Sequence, residues 1–447
     1  MVKKDIKIKT KLPARAPSGS RPSSSWDVAV IGAGPAGLMA AEKASQLGLK
    51  VVLIEKNPVS AKKLLLTGGG RCNFSNAEFN LRELVKNYHN GEFLFHAFSV
   101  FGPKETISFF EKLGIKTKTE KNKKVFPASG KANKVLEALS ESLSPAKVKK
   151  LFGTEIIDIE KKENPPSLKT SARQGKISKI ILKNGEIKAK KYILCTGGKS
   201  YPLTGSNGLG YTLAEKLGHT IVNPSPALSP IKIKEAWVKN LQGISLDDVK
   251  IEVLQNGLPA KDGKNYIREN GEIIFTHFGI SGPAILNISG KIGELVKFGD
   301  VKLHIDLCTP LNQDELFKKL AGAFQRFSKK TVKNILSDFM PERLTEVLLD
   351  INKIDKDKIA NNMTKAERWA VVKAIKSFEM TVEDVLGFDQ AMITKGGVSL
   401  KEIDHKTMKS KIIDNLYFAG EIIDVNGKTG GFNLQMCWST GNLAAEN

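Results

Sequence analysis

Three features of this 447-residue chain predict an α/β fold whose central parallel sheet is built from both ends of the sequence. A strand, glycine turn, helix and second strand open it at residues 26–55, which read WDVAVIGAGPAGLMAAEKASQLGLKVVLIE. A second strand-turn-helix pattern closes it, from LYFAGE at 416–421 through GGFNLQ at 430–435 into a final helix. Between the two lie a run of alternating strands and then a helical run, which read as insertions into the α/β domain.

Residues 1–25 hold seven Lys or Arg against one Asp and show no apolar periodicity. They read as a disordered basic tail. The tail has no apolar core of a secretory signal, and organellar targeting stays open. No apolar run approaches the ~18 residues of a membrane span. Cys72, Cys195, Cys308 and Cys437 are widely spaced, with no CxxC pair. That usage suggests a reducing, cytoplasmic setting and gives no metal-ligand spacing.

The expected first half of the α/β domain spans residues 26–222. VAVI is a buried strand running into Gly32-Ala33-Gly34-Pro35-Ala36-Gly37. Gly32 permits the tight turn, Gly34 lets the backbone approach a pyrophosphate, and Gly37 lets helix and strand pack closely. Pro35 suits a first helical turn, whose free N–H groups face the phosphates. Glu55 ends the next strand at the spacing where a carboxylate takes a ribose diol and repels a 2′-phosphate. A loop, KKLLLTGGGRCN at 62–73, follows, then helical patterns around 81–88, 92–100 and 104–113. Residues 151–194 read as a β-meander, with Asn184-Gly185 signalling a type I′ hairpin. YILC at 192–195 is a buried strand that meets Thr196-Gly197-Gly198.

Residues 223–310 should form an inserted β-barrel-like domain, from alternating segments such as VKIEVL, EIIFTHF and VKLHIDL. Residues 311–386 should form an inserted helical subdomain, with 311–385 reading as helix. Residues 387–447 return to the α/β domain as its second half. This order matches flavoproteins of the glutathione-reductase type, in which a late strand-turn-helix comes back to hold the flavin end of FAD. The net charge of +22 is spread over the tail and several lysine runs with few interleaved aromatics. No base-stacking platform is apparent, so nucleic acid is not the expected partner.

TGGGRCNFSN, FTHFGISGP and GEIIDVNGKTGGFNLQMCWSTG together resemble the BaiN-type NAD(P)/FAD-dependent oxidoreductases, also described as aminoacetone-oxidase-family FAD-binding enzymes. The resemblance covers residues 26–447 and implies FAD. By position it assigns the pyrophosphate to Gly32, Ala33, Gly34, Pro35, Ala36 and Gly37, and the adenosine ribose to Glu55 beside Lys56. Gly69, Gly70, Arg71 and Cys72 would wrap the middle of the cofactor, with Arg71 as a cation and Cys72 as packing. Thr196, Gly197 and Gly198 would cross close to it. Gly420 and Glu421 stand where related flavoproteins carry Gly-Asp, and Asp424 could share that role. Gly430, Gly431, Asn433 and Leu434 would aim the last helix at the flavin N1–C2=O edge. His277 and Tyr201 are the catalytic candidates, each with a structural reading beside it.

The expected activity is hydride exchange between flavin and a small organic substrate, with an anionic substrate left open by the basic surface. There is no second glycine-turn unit, so NAD(P)H would act as a transient donor over the flavin. An oxidase returning electrons to oxygen, and an RNA-modifying flavoprotein, are the alternatives.

Overall fold

A computed structural model describes residues 26–163 and 175–447. The expected basic tail and the Pro165-Pro166 loop lie outside the described residues. The central sheet takes β1 (Trp26–Ile31), β2 (Val51–Glu55), β3 (Val148–Phe152), β4 (Ala189–Leu194) and a closing strand, Leu416–Phe418. All neighbours are parallel, in the order closing strand–β4–β1–β2–β3. The interior of β1 and β2 is buried, as expected of parallel strands covered on both faces. Strands from both ends of the sequence therefore flank one another, with β4 pairing β1 on one side and the closing strand on the other.

Helix α1 (Pro35–Gln46) packs on the closing helix, Phe432–Glu446. The fit depends on small residues. A Cβ on Gly441 would lie 2.4 Å from the Ala36 carbonyl oxygen, and one on Gly37 would lie 1.8 Å from that of Gly32. Trp438 of the closing helix is fully buried, and its indole N–H donates to the Phe74 carbonyl at 2.8 Å. A ring of this size removes on the order of 200 Å² from water, about 5 kcal/mol before entropic costs.

The inserted barrel is a closed ring of six antiparallel strands: Ser245–Gln255, Arg268–Phe275, Gly279–Ser281, Ile231–Ile233, Phe378–Val385 and Val301–Asp306. The ring closes where Val301–Asp306 pairs with Ser245–Gln255. The sequence placed helix through residue 385, but the last helix there, Lys365–Lys376, stops short of it. Residues 378–382 alternate buried and less buried, a period of two, and complete the barrel from beyond the helical run. The helices Gln313–Arg326, Val332–Leu336, Glu342–Ile351 and Lys365–Lys376 enclose a separate apolar cluster.

The meander Ile156–Glu163, Gly175–Leu182 and Gly185–Ile187 forms, and its second hairpin differs from the expected turn. Gly185 pairs with Leu182, so the loop residues are Lys183 and Asn184. Neither has the positive φ that a type I′ turn needs at both central positions; Gly185 carries it instead, at +139°. That strand also breaks at Lys188, after which β4 leaves the meander for the parallel sheet.

Candidate functional site

A cleft runs along the carboxyl ends of β1, β2, β4 and the closing strand. Open parallel sheets bind ligands at this edge. Its lining includes Gly32, Gly34, Pro35, Ala36, Glu55 and Lys56 from the first unit, Thr196 and Gly197 after β4, and Gly420 and Glu421 after the closing strand. Both ends of the chain thus face one cavity.

The three glycines of the turn do different work. Gly32 has φ +97°, and a Cβ there would lie 2.6 Å from the Cys195 carbonyl oxygen. Gly37 has no room for a side chain, as described above. A Cβ on Gly34 would meet nothing within 4 Å, so its backbone opens onto the cleft. The N-terminus of α1 has no side-chain cap and no acidic residue in its first turn. Its free N–H groups and dipole suit an anion. Ala33 lies behind the turn, buried, and its N–H donates to Glu55 Oε2 at 2.9 Å.

Glu55 is held by neutral donors. Its Oε1 accepts the Asn57 backbone and side-chain N–H groups, each at 2.8 Å. Asn57 is steadied in turn by Lys62 at 3.1 Å and by donating to the Thr204 carbonyl at 3.0 Å. Lys56 sits beside it, and burial lowers its ammonium below the usual lysine range. Thr204, Gly205, Ser206 and Asn207 strap this end of the cleft. Sequence reading missed Asn57, Lys62 and the strap, although TGSNG, with left-handed Gly205 and Gly208, was a visible turn signal.

At the other end Glu421 is enclosed. Its carboxylate accepts from Lys63 Nζ at 2.8 and 3.2 Å, Ser200 Oγ at 2.9 Å and the Thr394 N–H at 2.8 Å. Lys63 also donates to Ser200 Oγ. A Cβ on Gly198 would lie 2.3 Å from Thr394 Oγ1 and 2.9 Å from Glu421 Oε1. Gly198 therefore leaves room for this network, where the sequence expected close passage of a cofactor. Lys63, Ser200 and Thr394 were missed because each partner comes from a distant segment.

Several expected contacts do not line the cleft. Arg71 pairs with Glu120 at 2.7 Å and stacks 4.0 Å over the Phe126 ring. Its guanidinium is thus engaged by the nearest carboxylate and aromatic face, not by the cleft. Gly69 and Gly70 lie in the same left-handed turn, with φ +66° and +87°. Cys72 is buried, and burial raises its thiol to about 12, which fits packing. Asp424 is half-buried, hydrogen-bonded through its carbonyl to Asn90 Nδ2, and burial raises its carboxyl. Gly430 and Gly431 open the closing helix with φ +117° and +97°, and a Cβ on Gly431 would strike the Ser75 carbonyl oxygen. Asn433 uses its amide within the loop, accepting from Gly427 N–H and donating to the Gly427 carbonyl, both at 2.8 Å. Leu434 packs at the edge of the main core.

The catalytic candidates also lie outside the cleft lining. His277 is exposed in the turn after Arg268–Phe275, edge-on to Phe278. The inserted domain meets the loop before the closing helix through Glu269 of the barrel with Lys428 and Asn287 of the helix Pro283–Leu295 with Thr429. The strand ends at Phe275, six residues and roughly 20 Å beyond Glu269, and His277 lies in the turn at that far end. The strand thus carries it away from that contact. Tyr201 is half-buried at φ +52°, with its N–H bonded to the Phe388 carbonyl at 2.9 Å.

The residues present fit an extended dinucleotide. The open backbone at Gly34 and the uncapped α1 suit its phosphates, and Thr196 Oγ1 is a buried hydroxyl of the cleft lining with no protein partner. Cys437, also in the lining, is raised to about 12 by burial and stays a neutral thiol.

The profile of the family described as HI0933-like protein Rossmann domain matches residues 26–447. The chain is 31% identical over 423 residues to the 3-dehydro-bile acid delta(4,6)-reductase of Clostridium scindens, covering 93% of this chain and 97% of that one. It is 30% identical over 418 residues to the ribosomal RNA dihydrouridine synthase of Haemophilus influenzae, covering 93% and 96%. A 3-ketosteroid delta1-dehydrogenase from Sterolibacterium denitrificans shares the fold at 12% identity, with TM-score 0.50 and coverage of 94% and 99%.

Proposed function

The chain belongs to the HI0933-like Rossmann family of FAD-dependent oxidoreductases, and from that premise we propose that it saturates a carbon–carbon double bond conjugated to a carbonyl group. The observation that carries this reading is a reaction shared by two full-length relatives of unlike substrate. A delta(4,6)-reductase acting on a 3-dehydro steroid acid reduces a dienone. A dihydrouridine synthase reduces the uracil double bond conjugated to its carbonyl. Each double bond takes up a hydride at its end farther from the carbonyl, β in an enone and δ across a dienone, and a proton at its nearer end.

Bound FAD would supply the two-electron chemistry, donating the hydride when reduced. The chain's own residues hold it. Gly32, Gly34 and the α1 N-terminus take the pyrophosphate, and Glu55 takes the adenosine ribose. Thr196, with Gly197, presents a hydroxyl that has no partner among the described residues. The loop before the closing helix is docked by Thr429 on Asn287 of the helix Pro283–Leu295, and it would set how the inserted domain faces the flavin end. Glu55 disfavours a 2′-phosphate in this cleft, so NADH or NADPH would serve as a transient donor elsewhere. We place the enzyme in the reducing cytoplasm, in keeping with four free cysteines. Among the described residues no helix is long and apolar enough to cross a membrane.

We assign a small conjugated carbonyl compound as substrate. The net charge of +22 and the relation to an RNA-acting enzyme favour uridine in RNA as a second reading. Purified protein should be yellow and should bleach anaerobically with NADH or NADPH. The yellow colour should return on adding a steroid-sized enone. Recovery only with uridine-containing RNA would select the second reading, and recovery only with oxygen would select an oxidase. Protein that stays colourless after reconstitution would refute all three.

A further inference from the structure

We propose that Lys63 is the cation that holds the phosphate-bearing middle of the cofactor, an assignment that rests on the FAD reading above. The Ala61 N–H donates to the Ala33 carbonyl at 2.9 Å, which seats residues 61–63 against the glycine turn. Lys63 lines the cleft there, beside Gly34 and the open N-terminus of α1. Its side chain is 21% exposed, so the ammonium is fixed by Glu421 and Ser200 while still reaching the cavity.

The other cations are placed differently. Lys62 is bound to Asn57 at the ribose end, and Arg71 is taken by Glu120. Lys56, Lys62 and Lys63 face only Glu55 and Glu421 in the cleft lining, an excess of positive charge that complements a diphosphate. Glu421 then acts as the positioning residue. Held by Ser200 and Thr394, it keeps the lysine stem turned toward the turn, where a Gly-Asp comparison would make it a direct ribityl ligand.

The test is binding of ADP, which carries the diphosphate without a flavin, and of FAD to apoprotein. Calorimetry and flavin fluorescence would compare wild type with K63M, K63R and the K63M/E421Q double variant. K63M should bind both ligands about tenfold or more weakly, the size of a lost charged hydrogen bond. The deficit should shrink with added salt. K63R should stay within about threefold of wild type, and the double variant should remain as weak as K63M. Wild-type binding by K63M would overturn the proposal. So would a loss confined to FAD, or full recovery in the double variant, which would reduce the lysine to a counter-charge for Glu421. If K63M does not fold, K63Q is read against the same outcomes. Wild-type apoprotein that takes neither ligand would refute the FAD reading itself.

Discussion

Glu55 and Glu421 end parallel strands at opposite sides of one cleft, yet their surroundings differ in kind. Glu55 accepts three N–H groups and, among the described residues, forms no ion pair. A carboxylate has about four acceptor positions, so one remains. Glu421 is filled by Lys63, Ser200 and the Thr394 N–H, and its charge is matched at 2.8 Å. The first acid is arranged to meet a diol; the second holds distant segments of the protein together. The same residue type at like positions thus serves a ligand in one case and the fold in the other.

The sharpest way to break this contrast is to remove the partner of each acid. Lys63→Met strands a mostly buried carboxylate and should cost about 3 kcal/mol in urea unfolding of apoprotein. An effect below about 1 kcal/mol would mean that Glu421 is no clamp. Glu55→Ala should cost only about 1 kcal/mol of apoprotein stability yet weaken FAD binding about tenfold, measured by flavin fluorescence. Equal losses in both assays would erase the distinction.

Acid should act on the Glu421 side first. The buried His219 ring stands between Glu402 Oε2 at 3.2 Å and Ser410 Oγ at 2.9 Å, edge-on to Phe418 of the closing strand. Ser410 Oγ already accepts the Ile412 and Ile413 N–H groups, so its own proton goes to Nε2 and the ring is neutral. Burial, outweighing the Glu402 carboxylate, lowers the folded pKa below 6.5. The unfolded chain then binds the proton first, so this contribution is full above pH 6.5 and fades as pH falls toward the folded value. Melting temperature should drop across that window, and His219→Gln should flatten the slope. The smallest effect belongs to His277→Ala: exposed and remote from the barrel's contact with the closing loop, it should change stability by less than about 0.5 kcal/mol. Turnover should also be nearly unchanged; a large loss there would place substrate at that turn.

Local geometry was legible in the sequence where one segment carried it. The turn at Gly32, Gly34 and Gly37 reads correctly because its demands, a positive φ and two close approaches, fall within six residues. Closure of the sheet by residues 416–418 was legible from the buried run before a glycine. Glu421 could be located but not interpreted, since its donors come from residues 63, 200 and 394. The partners of Arg71 were illegible for a related reason: nothing nearby in sequence announces Glu120 or Phe126. The strand Phe378–Val385 was absorbed into a helical run because its barrel neighbours lie about 70 and 150 residues upstream.

The meeting of the two chain ends has a consequence in time. During synthesis the glycine turn emerges about 380 residues before Ala419, a delay of tens of seconds at cellular elongation rates. Through that interval the nascent polypeptide has half a binding cleft, and once β4 has emerged it presents an unpaired edge where the closing strand will sit. The cleft is complete only once residues 416–421 have been made, and a premature stop between residues 195 and 415 yields a chain with that edge still open.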